Sequence, residues 1–142
     1  MSEKYIPVGL RRLVTDLARG CCECCRMQAR YSGDSFTIDH IFPQVLGGLT
    51  VLTNLALCCH GCNQHKSVRT SAVDPVTGLP VLLFHPREQR WEEHFAWNDE
   101  FTLMIGLTLT GRATVEALQL NRGGLVNLRR VLCAIGEHPP NL

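Results

Sequence analysis

The feature that most constrains this chain is a pair of Cys-x-x-Cys motifs, Cys22 with Cys25 and Cys59 with Cys62. Two residues between thiols make a tight turn that aims both sulfurs at one point, and two such turns complete the tetrahedron of a structural zinc. Everything between the pairs must then fold as a small substructure closed by four sulfurs. Cys21 and Cys24 share the same spacing, so the first pair can be read in two registers. Cys58 meets Gly61 where a partner would fall, so the second pair has only one. Cys21, Cys24, Cys58 and Cys133 are expected as small apolar core residues, because free cysteine is commonly buried.

A chain of 142 residues that is 45% hydrophobic and 19% charged is sized for one domain over residues 1–142 with a real core. Met1 to Leu10 carry Lys4 and no apolar run of signal-peptide length, and no later stretch is long enough to span a bilayer. The expectation is a soluble, cytoplasmic protein with no membrane partner, whose eight cysteines stay reduced and bind metal. A formal net charge of +1 argues against a generic nucleic-acid coat. It leaves room for a binder that takes part of its phosphate attraction from a bound cation. Arg11, Arg12, Arg19, Arg26 and Arg30 form either a phosphate-binding patch or a solvated helix face.

Apolar periodicity predicts an amphipathic helix over residues 7–19, carried by Leu10, Leu13, Val14 and Leu17 and stopped by Gly20. Residues 36–38 and 55–57 read as strands separated by the Gly47-Gly48 turn, and a helix is expected to start at Asn63, a good capping residue. Beyond Ser67, residues 81–84 suggest a strand, 101–109 an apolar segment, and 114–120 and 125–132 helices with Arg129 and Arg130 on the wet side. Trp91, Phe95 and Trp97 suit a core better than a base-stacking platform. His85 and His94 have no paired spacing, and His60 reads as a surface residue.

Between the cysteine pairs lie Asp39-His40-Ile41-Phe42-Pro43, Gly47-Gly48 and Asn54-Leu55, and the second pair continues as Cys62-Asn63-Gln64-His65-Lys66. In order and content this run, about residues 20–67, resembles the HNH endonucleases. The resemblance implies an α+β fold: a ββα-metal core over 20–70 clamped by a four-cysteine zinc site, with an N-terminal helix and an α/β C-terminal extension over 79–135. It implies cleavage of phosphodiester bonds in nucleic acid, with DNA ahead of RNA. One active site per chain favours nicking unless two chains assemble.

Such hydrolysis needs a base for water, a cation for the charge that grows on phosphorus and the leaving oxygen, and donors that hold the phosphate. His40 suits the base, since an unperturbed imidazole titrates at about 6.5. Asn54 is expected to accept the other ring N–H of His40 and so select its tautomer. Asp39 offers a hard oxygen to a catalytic divalent ion. The family pattern puts the last ligand at Asn63, with His65 as the alternative if the helix begins later. Asn63 favours Mg²⁺ or Mn²⁺, whereas His65 would make the site friendlier to Zn²⁺, Ni²⁺ or Mn²⁺. Strand alternation sends Asp39 and His40 to opposite faces, so both can serve one site only where the strand ends. Lys66 and Arg69 are candidate phosphate contacts. The rival reading is a zinc-stabilised nucleic-acid or protein binding module without chemistry.

Overall fold

The computed structural model describes residues 5–142, so Lys4 lies outside the described residues. Thr37–His40 (β1) and Leu55–Cys58 (β2) pair antiparallel in the register Thr37↔Cys58, Ile38↔Leu57, Asp39↔Ala56 and His40↔Leu55. Because strand side chains alternate, this register sorts the ribbon into two faces. Ile38, Leu55 and Leu57 share one face, and Thr37, Asp39, Ala56 and Cys58 share the other.

The first face is covered by α1 (Val8–Leu17), where Val14, with Ile6 and Ala18, packs into a cluster with Ile38, Leu55 and Leu57. Pro7 stands at the N-cap with φ −56, a value its ring imposes, and the helix ends where Arg19 and Gly20 adopt positive φ. The buried stripe is narrower than the apolar pattern suggests: Leu13 and Leu17 are 53% and 55% exposed. A two-stranded ribbon is wide enough for one i, i+4 row, here Leu10, Val14 and Ala18, and not for two.

The second face meets α2 (His60–Lys66) and the rest of the chain. The helix begins at His60, earlier than the expected Asn63, because Cys59 rather than asparagine caps it: its Sγ accepts from the Cys62 N–H at 3.5 Å. Two further antiparallel ribbons follow, β3 (Ser71–Val73) with β4 (Pro80–Leu82), and β5 (Phe95–Trp97) with β6 (Met104–Gly106). The one-turn α3 (Trp91–His94) precedes β5, and α4 (Leu109–Ala117) and α5 (Gly123–Ala134) complete the chain. Helix α4 starts before the expected Thr114 because Thr108 caps it, its Oγ1 accepting from Gly111 N–H at 3.0 Å. Among the described residues no helix is long and apolar enough to cross a membrane.

The larger core joins both halves of the chain. Cys22, Cys25, Cys58, Cys59 and Cys62 share one buried cluster with Trp91, Phe95, Met104, Leu118 and Leu132. Trp91 lies with its ring centroid 5.6 Å from those of Phe95 and Trp97, so these aromatics are packing residues. Arg129 corrects the expectation of a wet side: it is fully buried, donating to the carbonyls of Thr102 and Leu120 at 3.0 and 2.7 Å, and lies 5.0 Å from the Trp97 ring. Arg130 is exposed, as expected. Periodicity places a residue on a helix face; it cannot reveal carbonyls that arrive from another element.

Asp74 ties the β3–β4 ribbon to α4. Its fully buried carboxylate accepts from Arg112 Nε and Nη2 at 2.8 and 2.9 Å, and from Thr77 Oγ1 at 2.7 Å. The Arg112 guanidinium, helped by Thr77 and backbone N–H groups, holds the carboxyl well below the usual carboxylate range. A depressed folded-state pKa contributes stability that is complete above the unfolded value, about 3.9 for Asp, and is lost as pH falls below it. In urea unfolding, Asp74→Asn is therefore expected to be less stable than wild type at pH 7, with the gap closing as pH drops below about 4.

Candidate metal centres and catalytic loop

The Cys22, Cys25, Cys59 and Cys62 sulfurs lie within 4.8 Å of one another, and all four residues are buried. Zinc–sulfur bonds of about 2.3 Å in a tetrahedron require sulfurs roughly 3.8 Å apart. The Cys25 and Cys59 Sγ atoms are 3.8 Å apart. A four-thiol donor set with that spacing can hold a structural metal, and it resolves the register of the first pair. Cys24 does not join this quartet; it forms a second group of three with Cys22 and Cys58. Hydrogen bonding to Cys22 pushes the thiols of Cys24 and Cys58 up.

Local folding explains the convergence. Cys22 N–H bonds the Met27 carbonyl and Arg26 N–H bonds the Cys22 carbonyl, each at 2.9 Å, which closes the first turn. Glu23 then docks that turn on β2: its N–H reaches the Leu57 carbonyl, and its Oε2 accepts from Leu57 N–H, both at 2.9 Å. Arg87 grips the same carboxylate with two bonds of 2.6 and 2.7 Å.

At the other end of the ribbon, β1 delivers Asp39 and His40 to opposite faces. His40 is 1% exposed, and its Nε2 lies 2.9 Å from Thr50 Oγ1. The expected bond from His40 to Asn54 is not made. The Asn54 carboxamide is used on the loop backbone: Oδ1 accepts from Phe42 N–H at 2.8 Å, and Nδ2 donates to the carbonyls of Phe42 and Leu49 at 3.0 and 2.9 Å. Asn54 therefore braces the loop that carries Thr50, the partner of His40. Gly48 is required by the same closure, since a Cβ there would overlap the Phe42 carbonyl oxygen.

Asp39 is buried against α2, where Lys66 Nζ lies 2.9 Å from its Oδ2 and 3.3 Å from the His40 carbonyl. Lys66 thus departs from the expected phosphate contact: it is 6% exposed and balances a buried carboxylate. Asn63 lies one turn before Lys66 on the same helix face and is half-buried, while His65 is exposed. Arg69 donates from Nη2 to the carbonyls of His65 and Ala117 at 2.7 and 2.6 Å, and so staples the end of α2 to the end of α4. His60 is exposed. His94 bonds Thr108 through Nδ1 at 2.7 Å, and His85 Nδ1 accepts from Arg87 N–H at 3.2 Å.

The arginines near the N-terminus do not form one free patch. Arg26 lies 4.2 Å from the Trp91 ring centroid, and Arg30 pairs with Glu137 at 2.6 Å. Sequence reasoning missed Thr50, Glu23 with Arg87, and Arg122, whose guanidinium reaches the cysteine quartet. None carries a local signal, since each partner is brought in by the fold.

The Asp39–Lys66 pair sets up a direct test. Removing one member of a buried pair leaves an uncompensated charge and costs about 3–5 kcal/mol. Lys66→Met is expected to lower unfolding free energy by about that amount. Adding Asp39→Asn to it should recover part of the loss, so a double-mutant cycle reports a coupling well away from zero.

Compared with known protein families, residues 22–69 match the model described as HNH endonuclease. The matched segment runs from the first quartet cysteine to Arg69. No curated protein matches the chain.

Proposed function

Taking residues 22–69 as the core of an HNH-type endonuclease, we propose that this protein hydrolyses phosphodiester bonds of nucleic acid, DNA ahead of RNA, with His40 as the general base. The observation that carries the reading lies at the end of β1, where Lys66 of α2 bonds both the buried Asp39 carboxylate and the His40 carbonyl, and the buried His40 ring bonds Thr50. A binding module has no need of that combination.

The roles follow from the contacts. In the tautomer whose Nε2–H donates to Thr50 Oγ1, the basic nitrogen of His40 is Nδ1, and this is the atom we assign to take the proton from the attacking water. Asn54 is a positioning residue that braces the loop bearing Thr50, which bonds the ring at Nε2. Asp39 and Asn63 supply hard oxygens suited to Mg²⁺ or Mn²⁺; bound there, such an ion draws charge from the scissile phosphate and the leaving oxygen. Asn63 is preferred to His65 because it shares the inward face with Lys66, whereas His65 is exposed. Lys66 offsets the Asp39 charge, so the ion's hold leans on substrate oxygens as well as on protein, as is usual for Mg²⁺. Cys22, Cys25, Cys59 and Cys62 hold a structural Zn²⁺ that stabilises the core. The proposed setting is cytoplasmic, where these thiols stay reduced.

A second reading, a zinc-stabilised binding module without chemistry, draws support from the 1% exposure of His40, since substrate must uncover the ring before it can act. Supercoiled plasmid separates the two. Wild type with Mg²⁺ or Mn²⁺ is expected to nick it, EDTA to stop it, and His40→Ala to slow it by about 10²- to 10⁴-fold. Asn63→Ala should lose metal-dependent cleavage while His65→Ala keeps it. Undiminished cleavage by His40→Ala would reject the base assignment. Tight binding by wild type with no cleavage in any metal would favour the module.

A further inference from the structure

Arg122 precedes α5, far along the chain from the cysteine pairs, yet its guanidinium lies against two of their sulfurs. Nη2 is 3.4 Å from Cys59 Sγ and 3.6 Å from Cys62 Sγ, and Nη1 is 3.5 Å from Cys62 Sγ. Nη1 also donates to the carbonyls of Leu118 and Gln119 at 3.3 and 3.2 Å, which fixes the plane of the group. Among the described residues no carboxylate pairs with it. We infer that Arg122 is a positioning residue of the metal clamp: a cationic donor from the C-terminal extension that hydrogen-bonds two ligand sulfurs and tunes how tightly the quartet holds its ion.

Two independent features lead there. The first is charge. Four thiolates around a divalent cation carry a net −2 in a buried place, and charge-assisted N–H···S bonds from one guanidinium offset half of it. Donors of this kind, one shell beyond the ligands, typically alter metal affinity by about 10- to 100-fold. The second is Gly61, between the cysteines of the second pair. Its backbone is not in the positive-φ region, so helical geometry does not require glycine there, and glycine in a helix costs stability. A Cβ at Gly61 would come within 2.6 Å of Arg122 Nη2 and 2.9 Å of its Cζ. The missing side chain is the space that the guanidinium occupies. The extension therefore does more than cover the core; it completes the electrostatics of the clamp.

This inference rests on the reading that the quartet holds zinc, and the test separates the two. The full-length protein is purified and its zinc measured by elemental analysis. Wild type without zinc would overturn the clamp reading and this inference with it. Given one zinc per chain, Arg122→Met is expected to yield its zinc to a chromophoric chelator at an affinity about 10-fold weaker or more. In the Co²⁺-substituted protein the sulfur-to-cobalt charge-transfer band should move to lower energy, because sulfur lone pairs that lose N–H donors rise. Arg122→Lys, with a point charge in place of a planar fork, should fall between. Gly61→Ala provides a second variant should Arg122→Met fold poorly, since it keeps Arg122 and displaces the guanidinium from the sulfurs. It is expected to shift affinity and band in the same direction. An unchanged chelator midpoint and an unchanged cobalt spectrum in the folded variants would overturn the inference and leave Arg122 as a brace for the Leu118 and Gln119 carbonyls.

Discussion

The convergence of four buried thiols is the constraint on which the rest of this structure depends. Cys59 has two duties: its sulfur belongs to the quartet, and it accepts the Cys62 N–H as the cap of α2. The same atom therefore sets where α2 begins and which face it turns inward. Because Cys58 ends β2 and β2 is paired with β1, the quartet also sets the distance between the helix and the strand that carries Asp39. A helix of seven residues is too short to be stable alone, and here its first turn is tied down by sulfur while its last turn is held by Lys66 and Arg69.

The two-faced ribbon separates the side chains of the adjacent residues Asp39 and His40. The register sends Asp39 toward α2 and Lys66, and His40 toward the loop that bears Thr50. Both sit at the strand's end, where the chain turns through Pro43 and the loop is closed by Asn54 and Gly48. The asparagine's contribution is geometric. By bonding both the N–H and the carbonyl of Phe42 and the carbonyl of Leu49, it joins the two ends of the loop whose Thr50 meets the imidazole at Nε2.

What could be read from the sequence follows the range of the forces involved. The quartet, the strand–loop–strand–helix order and the glycine pair are encoded by short spacings, and they appear near the expected residues. Boundaries were less legible: cysteine capping moved the start of α2 from Asn63 to His60, and Thr108 moved α4 forward from Thr114. Partnerships formed across the chain were not legible at all. Lys66 looks like a surface cation until Asp39 arrives from β1, and Arg129 looks solvated until the carbonyls of Thr102 and Leu120 close around it. The pairing of Asn54 with the loop instead of His40 is the same lesson on a smaller scale, because one carboxamide cannot be assigned a partner by spacing alone.

The near-zero net charge acquires meaning once the arginines are followed to their partners. Arg26 stacks on Trp91, Arg30 pairs with Glu137, Arg87 with Glu23 and Arg112 with Asp74. Arg69 holds carbonyls, Arg122 faces sulfur and Arg129 is fully buried. Much of the basic content thus stabilises the protein and is not presented to a ligand. On the proposed nuclease reading, attraction for a phosphate backbone would come from a cation beside Asp39 and from arginines that remain exposed, such as Arg12 and Arg130. The proposed metal would then take part in recognition as well as in chemistry, since the lysine next to His40 is already paired with the Asp39 carboxylate.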